Sequence, residues 1–339
     1  MQSTPTRVAV VGCGAIATRQ HLPLLQARGE CQITAVVDAD QSRACSVARQ
    51  FEVPVAVDKL EKLPEGSVDC AIIATPNALH ADIGVALLQR GVHLLVEKPL
   101  ATTTADCERM LAAAAARSVV LAAGLMRRYS QASRFAKAVI DGGVIGRVQS
   151  FEIQDGFVFA WPTASNAFLL RDISGGGALI DLGAHTLDQL LWWLGDVADL
   201  RYYDDAFGGV EADCLLELEM ASGARGTVEL SRTRDLSCEA VIRGERGELR
   251  VALARSAASL TLFDGGVQLS GLAGAAGAGT VEDQRPAQLI ALEHDDFFSA
   301  IRNGHAPTVT GAEAMRSVAL IEACYAARQP LELPWLQQA

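Results

Sequence analysis

The chain of 339 residues is long for a single core and suits two domains, since compact domains run to about 100–200 residues. Apolar residues make up 50% and charged residues 20%, enough to bury a sizeable core, which excludes a largely disordered chain. The net charge of -11, with no basic patch to offset it, repels nucleic-acid phosphates and anionic membranes, so neither is expected as a partner. The opening MQSTPTRVAVVG lacks the basic stretch, apolar run and cleavage site of a secretory signal, and no later apolar run reaches the roughly 20 residues of a membrane span. A soluble cytoplasmic protein is the expectation. The eight cysteines show neither C-x-x-C pairs nor zinc-site spacing, which points to reduced, mostly buried thiols and no metal.

From Arg7 onward, short apolar runs alternate with helical patterns. RVAVVG is followed by a helix from Ala15 to Arg28, ITAVVD by one from Ser42 to Phe51, and CAIIAT by one from Ala78 to Arg90. HLLVEKP, a helix from Thr104 to Ala116 and VVLAAG complete the series. Strict alternation, with strands apolar on both faces, predicts a doubly wound parallel sheet, a Rossmann-type domain over residues 1–124. After a helix near Ser133–Asp141 the texture changes. RVQSFEIQ, CLLELEMAS, ARGTVELSR and CEAVIRG alternate apolar with polar residues, as in a mainly antiparallel sheet with one covered face. This predicts a second α/β domain over 125–339. The stretch GGVQLSGLAGAAGAGT reads as a mobile loop. Helical patterning returns from about 286 to 328, in helices expected to pack back onto the first domain.

The first strand runs into Gly12-Cys13-Gly14-Ala15-Ile16-Ala17, a G-x-G-x-x-A turn. Gly12 permits the tight turn, Gly14 lets the backbone approach a pyrophosphate, and Ala17 keeps the helix close to the strand. Ala15 and Ile16, at the helix N-terminus, are counted with them as cofactor-binding. Asp38 ends the second strand, where a carboxylate accepts hydrogen bonds from the adenosine ribose and disfavours a 2′-phosphate. The cofactor expected is therefore NAD, with Arg43 keeping NADP open. The competing reading of Asp38 is a helix N-cap.

ATPNALH and VEKPL each follow a predicted parallel strand, so Thr75, Asn77, His80, Glu97 and Lys98 belong at the carboxyl edge of the sheet, where such folds bind ligands. Lys98 beside an oxidised nicotinamide can orient or exchange a hydroxyl proton; the alternative is a solvated lysine next to a structurally paired Glu97. In GGGALIDLGAH, Asp181 and His185 stand four residues apart on one helical face. That spacing suits a carboxylate-supported general acid/base, but by itself it favours a structural pair. Of Arg127, Arg128 and Tyr129, which follow the last Rossmann strand, one arginine suits an ion pair. Arg127 and Tyr129 are assigned as candidate substrate-binding residues.

These segments together resemble the glucose-fructose oxidoreductase, inositol dehydrogenase and MocA family. V-x-G-x-G-x-I-A, ATPNALH, EKPL, GLMRRY, IGRV and GGGALIDLGAHTLD carry the resemblance over nearly the whole chain. It implies that Lys98, Asp181 and His185 form the catalytic centre. It also implies a large open sheet in the second domain and a homodimer or homotetramer. Ser130 stands where inositol dehydrogenases of this family carry an acidic residue, so the resemblance leaves the substrate at a sugar, sugar derivative or cyclitol. The activity expected is NAD(P)-dependent hydride transfer at a secondary hydroxyl. One rival is glycoside hydrolysis by transient oxidation. Another is a silent dinucleotide sensor, which would have no need of the lysine, aspartate and histidine together.

Overall fold

The computed structural model describes residues 5–162, 166–253, 257–263, 268–270 and 286–332. The chain divides into two units: Met1–Leu125 with Trp161–Gly175 and Ile290–Val318, and Met126–Ala160 with Gly176–Leu289 and Ala319–Ala339. Along the described residues the helices are α1 (Leu22–Gln26), α2 (Gln41–Gln50), α3 (His80–Gln89), α4 (Thr104–Arg117) and α5 (Gln131–Asp141). They continue as α6 (Arg171–Ser174), α7 (Ala178–Asp181), α8 (Gly183–Leu194), α9 (Pro286–Asn303) and α10 (Gly311–Ala326).

In the first unit β1 (Thr6–Val11), β2 (Cys31–Val37), β3 (Val55–Val57), β4 (Cys70–Ile73), β5 (His93–Glu97) and β6 (Leu121–Gly124) form one sheet in the order β3-β2-β1-β4-β5-β6. Every pairing is parallel. Val8, Ala9 and Val10 are all 0% exposed, covered on both faces as a central parallel strand requires. The three-residue β3 is too short to register as an apolar run in the sequence. The order reverses at β1, between β2 and β4, which is where such sheets open a ligand crevice. Phe297 and Phe298 of α9 are buried in this unit's core with Val8, Val10, Leu25 and Ile72.

In the second unit nine strands form a mixed sheet, ordered β14-β13-β12-β11-β7-β10-β9-β8-β15. They are β7 (Val148–Gly156), β8 (Val197–Asp204), β9 (Asp213–Met220), β10 (Arg225–Ser231), β11 (Glu239–Gly244), β12 (Gly247–Ala252), β13 (Ala258–Leu262), β14 (Gln268–Ser270) and β15 (Arg328–Pro330). The sheet is mainly antiparallel, as expected, but β7 pairs with β10 and β8 with β15 in parallel. Alternation sets the two faces. Cys214, Leu216, Leu218 and Met220 of β9 enter the core with Phe151 and Ile153 of β7, while Glu217 and Glu219 point the other way and pair with Arg201 and Arg225. Of the glycine- and alanine-rich stretch expected as a loop, Gln268–Ser270 form β14 and the remainder lies outside the described residues.

Candidate active site

The glycine turn after β1 is dictated by space. Gly12 has φ +94°, and a Cβ there would stand 2.4 Å from the Ala74 carbonyl oxygen, so only glycine fits. A Cβ on Gly14 would meet nothing within 4 Å, which leaves open space above the turn for a phosphate group. The helix begins at Ala15, so the first-turn N–H groups, those of Ala15 and Ile16 included, have no carbonyl one turn back and are presented to a ligand. Asp38 Oδ2 accepts from the Cys13 N–H at 2.9 Å and Oδ1 from the Asp40 N–H at 2.9 Å, with Arg43 Nη1 at 3.2 Å. The N-cap of α2 is Asp40, whose Oδ1 accepts from the N–H groups of Ser42 and Arg43. Asp38 is thus spared for the glycine turn.

Beyond β4, the Thr75 hydroxyl oxygen is buried with no hydrogen-bond partner among the described residues, a vacant polar contact of the kind a ligand fills. Asn77 Nδ2 donates to the Ser174 carbonyl at 2.7 Å. His80 is 0% exposed. Its ring bridges the two loops, with Nδ1 2.8 Å from the Pro99 carbonyl and Nε2 2.9 Å from that of Thr75. Burial, against those two contacts, lowers its proton affinity. His80 therefore braces the loops from behind, which corrects its expected place among the groups that touch the cofactor. Glu97, at the end of β5, accepts at Oε2 from the Lys98 N–H and meets His21 Nε2 with Oε1 at 2.9 Å. Burial opposes its ionisation, but the hydrogen bond to His21 and the charge of Lys98 outweigh it and hold the carboxyl below the usual range. The open space over Gly14, the unpartnered Thr75 and the oriented Asp38 together fit a dinucleotide.

In the second unit Gly176 and Gly177 reflect close approach. A Cβ on Gly176 would stand 1.9 Å from the Tyr325 hydroxyl, and one on Gly177 would stand 1.8 Å from the Glu211 carbonyl oxygen. Glu211, 0% exposed, accepts at Oε1 from the N–H groups of Gly177 and Leu179, each at 2.9 Å, and from the Tyr325 hydroxyl at 2.8 Å. It thereby anchors the start of α7, which carries Asp181. Asp181 pairs with Arg232 at 2.8 Å, and the Arg232 guanidinium lies 5.2 Å above the Phe159 ring. His185, 8% exposed, stands in the first turn of α8, and the residues after it are pinned by buried contacts. Thr186 donates to Asp155 at 2.7 Å, Asp188 takes a two-pronged bond from Arg128, and Gln189 donates to Ser133.

Arg127 is also committed, to Asp155 at 2.6 Å. Both arginines of this segment are therefore ion-paired, where one was expected at the substrate. Tyr129 is 3% exposed, beneath the Arg134 guanidinium. Arg232, Glu211 and Tyr325 had no local signal. Each reaches its partner across more than thirty residues of chain. Asp155 stands at a core-facing position of an alternating strand, where the Arg127 ion pair and the Thr186 hydroxyl satisfy its buried carboxylate.

This is the frame of a two-unit chain whose first unit is a dinucleotide-binding Rossmann sheet. The chain belongs to the GFO/IDH/MocA family: residues 6–125 match the oxidoreductase-family NAD-binding Rossmann fold, and residues 133–250 match the GFO/IDH/MocA C-terminal domain. Inositol 2-dehydrogenase 1 of Saccharopolyspora erythraea is 28% identical over 95% of this chain and 94% of its own length. A dTDP-3,4-didehydro-2,6-dideoxy-alpha-D-glucose 3-reductase of Actinomadura kijaniata is 32% identical over 59% of this chain, and the match spans 59% of that protein. A solved levoglucosan dehydrogenase, in complex with NADH and levoglucosan, shares the fold with a TM-score of 0.85 at 21% identity, covering 96% of this chain and 97% of that one. Among the described residues no helix is long and apolar enough to cross a membrane, and no cluster could hold a metal ion.

Proposed function

We propose that the chain is an NAD-dependent oxidoreductase that moves hydride between the nicotinamide and a secondary hydroxyl of a sugar, sugar derivative or cyclitol. The nicotinamide, when bound, supplies or takes the hydride. His185 takes the hydroxyl proton at its ring with the support of Asp181, and Lys98 contributes an ammonium that orients a hydroxyl. The observation that carries this reading is the bracing of His185, whose three nearest polar successors on α8 are each held by a buried partner. A ring set on so fixed an element keeps the geometry that proton transfer requires. The commitment of Arg127, Arg128 and Arg232 to Asp155, Asp188 and Asp181 favours an uncharged polyol over a phosphorylated one, because none of the three is left for an anion. A homodimer or homotetramer and a cytoplasmic location complete the reading.

The test is a panel of neutral sugars, cyclitols and sugar nucleotides, followed by absorbance of the reduced nicotinamide with NAD and with NADP. With the best substrate, Lys98→Ala and His185→Ala should each lower kcat by about 10²–10⁴-fold. Undiminished turnover in both variants would overturn the assignment.

A further inference from the structure

The first unit buries a polar chain that the hydride-transfer reading does not use. His21, 1% exposed, and His294 of α9, 0% exposed, stack with ring centroids 5.2 Å apart. They are joined by a 2.9 Å contact between His21 Nδ1 and His294 Nε2, and His21 Nε2 continues the chain to Glu97 Oε1. His294 Nδ1 has no partner among the described residues, and burial, with the nearby charge of Arg28 acting in the same direction, keeps this ring neutral. A neutral imidazole carries one N–H, and a buried N–H without an acceptor costs more than a bare ring nitrogen. The proton of His294 therefore sits on Nε2 and is donated to His21 Nδ1. That leaves the His21 proton on Nε2, aimed at Glu97. The charged and titratable groups around the chain are Arg28, which pairs with Glu30 and Asp295, then Glu293, Asp296 and Lys98.

We propose that His21 and His294 are positioning residues of the dinucleotide site, holding Glu97 as an oriented carboxylate that weights the site toward the oxidised, positively charged nicotinamide. The inference rests on the reading that Glu97 stands at the cofactor. Neither histidine touches the reacting atoms; each acts through the hydrogen bond it makes to the next member of the chain. His294 is 273 residues from His21 in sequence, and among the described residues the hydrogen bond that links it toward Glu97 runs through His21. Loss of its N–H frees the His21 ring to rotate or change tautomer, and the carboxylate loses its fixed donor.

The experiment measures dissociation constants for NADH by fluorescence and for NAD by competition, in the unmodified protein and in His294→Leu, His294→Gln and Glu97→Gln, each first checked by thermal melting. His294→Leu should weaken NAD about tenfold and NADH by less than about twofold, because a carboxylate that has lost its fixed donor is no longer held toward the positive ring. His294→Gln, whose amide N–H replaces the imidazole donor, should keep both constants within about twofold. Equal weakening of both dinucleotides by His294→Leu, or no change, would overturn the proposal. Should Glu97→Gln leave both constants unmoved, the placement of Glu97 itself fails. A shift with Glu97→Gln but none with His294→Leu sinks the histidine chain alone. If the leucine variant does not fold, nitrogen-15 spectra of the unmodified protein decide: the His294 proton is expected on Nε2, and finding it on Nδ1 refutes the chain.

Discussion

Two carboxylates in the first unit behave in opposite ways because of what surrounds them. Asp38, 9% exposed along its side chain, is satisfied by the turn and by Arg43, and its charge is what disfavours a 2′-phosphate. Asp38→Asn removes that charge and releases Arg43, so NADP should bind about tenfold more tightly, about 1.4 kcal/mol; titration of both dinucleotides checks this. Glu293 is 2% exposed, and neither carboxyl oxygen has a hydrogen-bond partner among the described residues. Burial, reinforced by the charges of Glu97 and Asp296, pushes its proton affinity well above the ordinary carboxylate value of 4.5. A group raised in this way contributes its stability below the unfolded value and loses it as pH climbs toward the folded one. Glu293→Gln should therefore melt at the same temperature as the parent near pH 4 and increasingly above it toward pH 8. Melting curves that stay parallel would refute this. Asp38 was legible because its role depends on neighbours within a turn and a strand, whereas Glu293 lies in a helical pattern where a buried and a solvated glutamate read alike.

At the scale of elements, the two ends of α7 and the first turns of α8 are held by groups distant in the chain. Glu211 and Tyr325 meet the glycine triplet from separations of 34 and more residues, and Arg232 meets Asp181 from β10's end. Gly177→Ala would drive a Cβ into the backbone of Glu211, so the turn must shift. Displacement of about 1 Å at a reacting group costs about 10²-fold in rate. The expected result is a kcat lowered by about that factor with NADH affinity unchanged, read by steady-state kinetics and fluorescence titration. The periodicity of GGGALIDLGAH and the G-x-G-x-x-A turn could be read directly, because helix spacing and tight turns are local. The partners could not, because Arg232, Glu211 and Tyr325 acquire their meaning only through the strand register of the second sheet. The same holds for β3, which is three residues long, and for β8, which alternates weakly; both gain their strand character from the neighbours they pair with.

For the whole molecule, the dinucleotide-binding unit is not contained in its own contiguous sequence. Ile290–Val318 belongs to it, and Phe297 and Phe298, each 1% exposed, fill its core at about 1.5–3 kcal/mol apiece. A fragment of residues 1–125 should therefore bind a hydrophobic dye and melt without cooperativity, while the full chain melts sharply; calorimetry of the two distinguishes the cases. A fragment that melts cooperatively and binds NADH like the full chain would show that α9 is dispensable.

The same discontinuity sets a timetable. Between Leu125 and Val318 a ribosome adds roughly 190 residues, which at about 5–20 per second is a wait of about 10–40 s. Through that interval the apolar surface destined for Phe297 and Phe298 is exposed beside a nascent second domain. A stall anywhere between Leu125 and Val318 would leave the nucleotide-binding unit unfinished, although every residue of its glycine turn had long since been made.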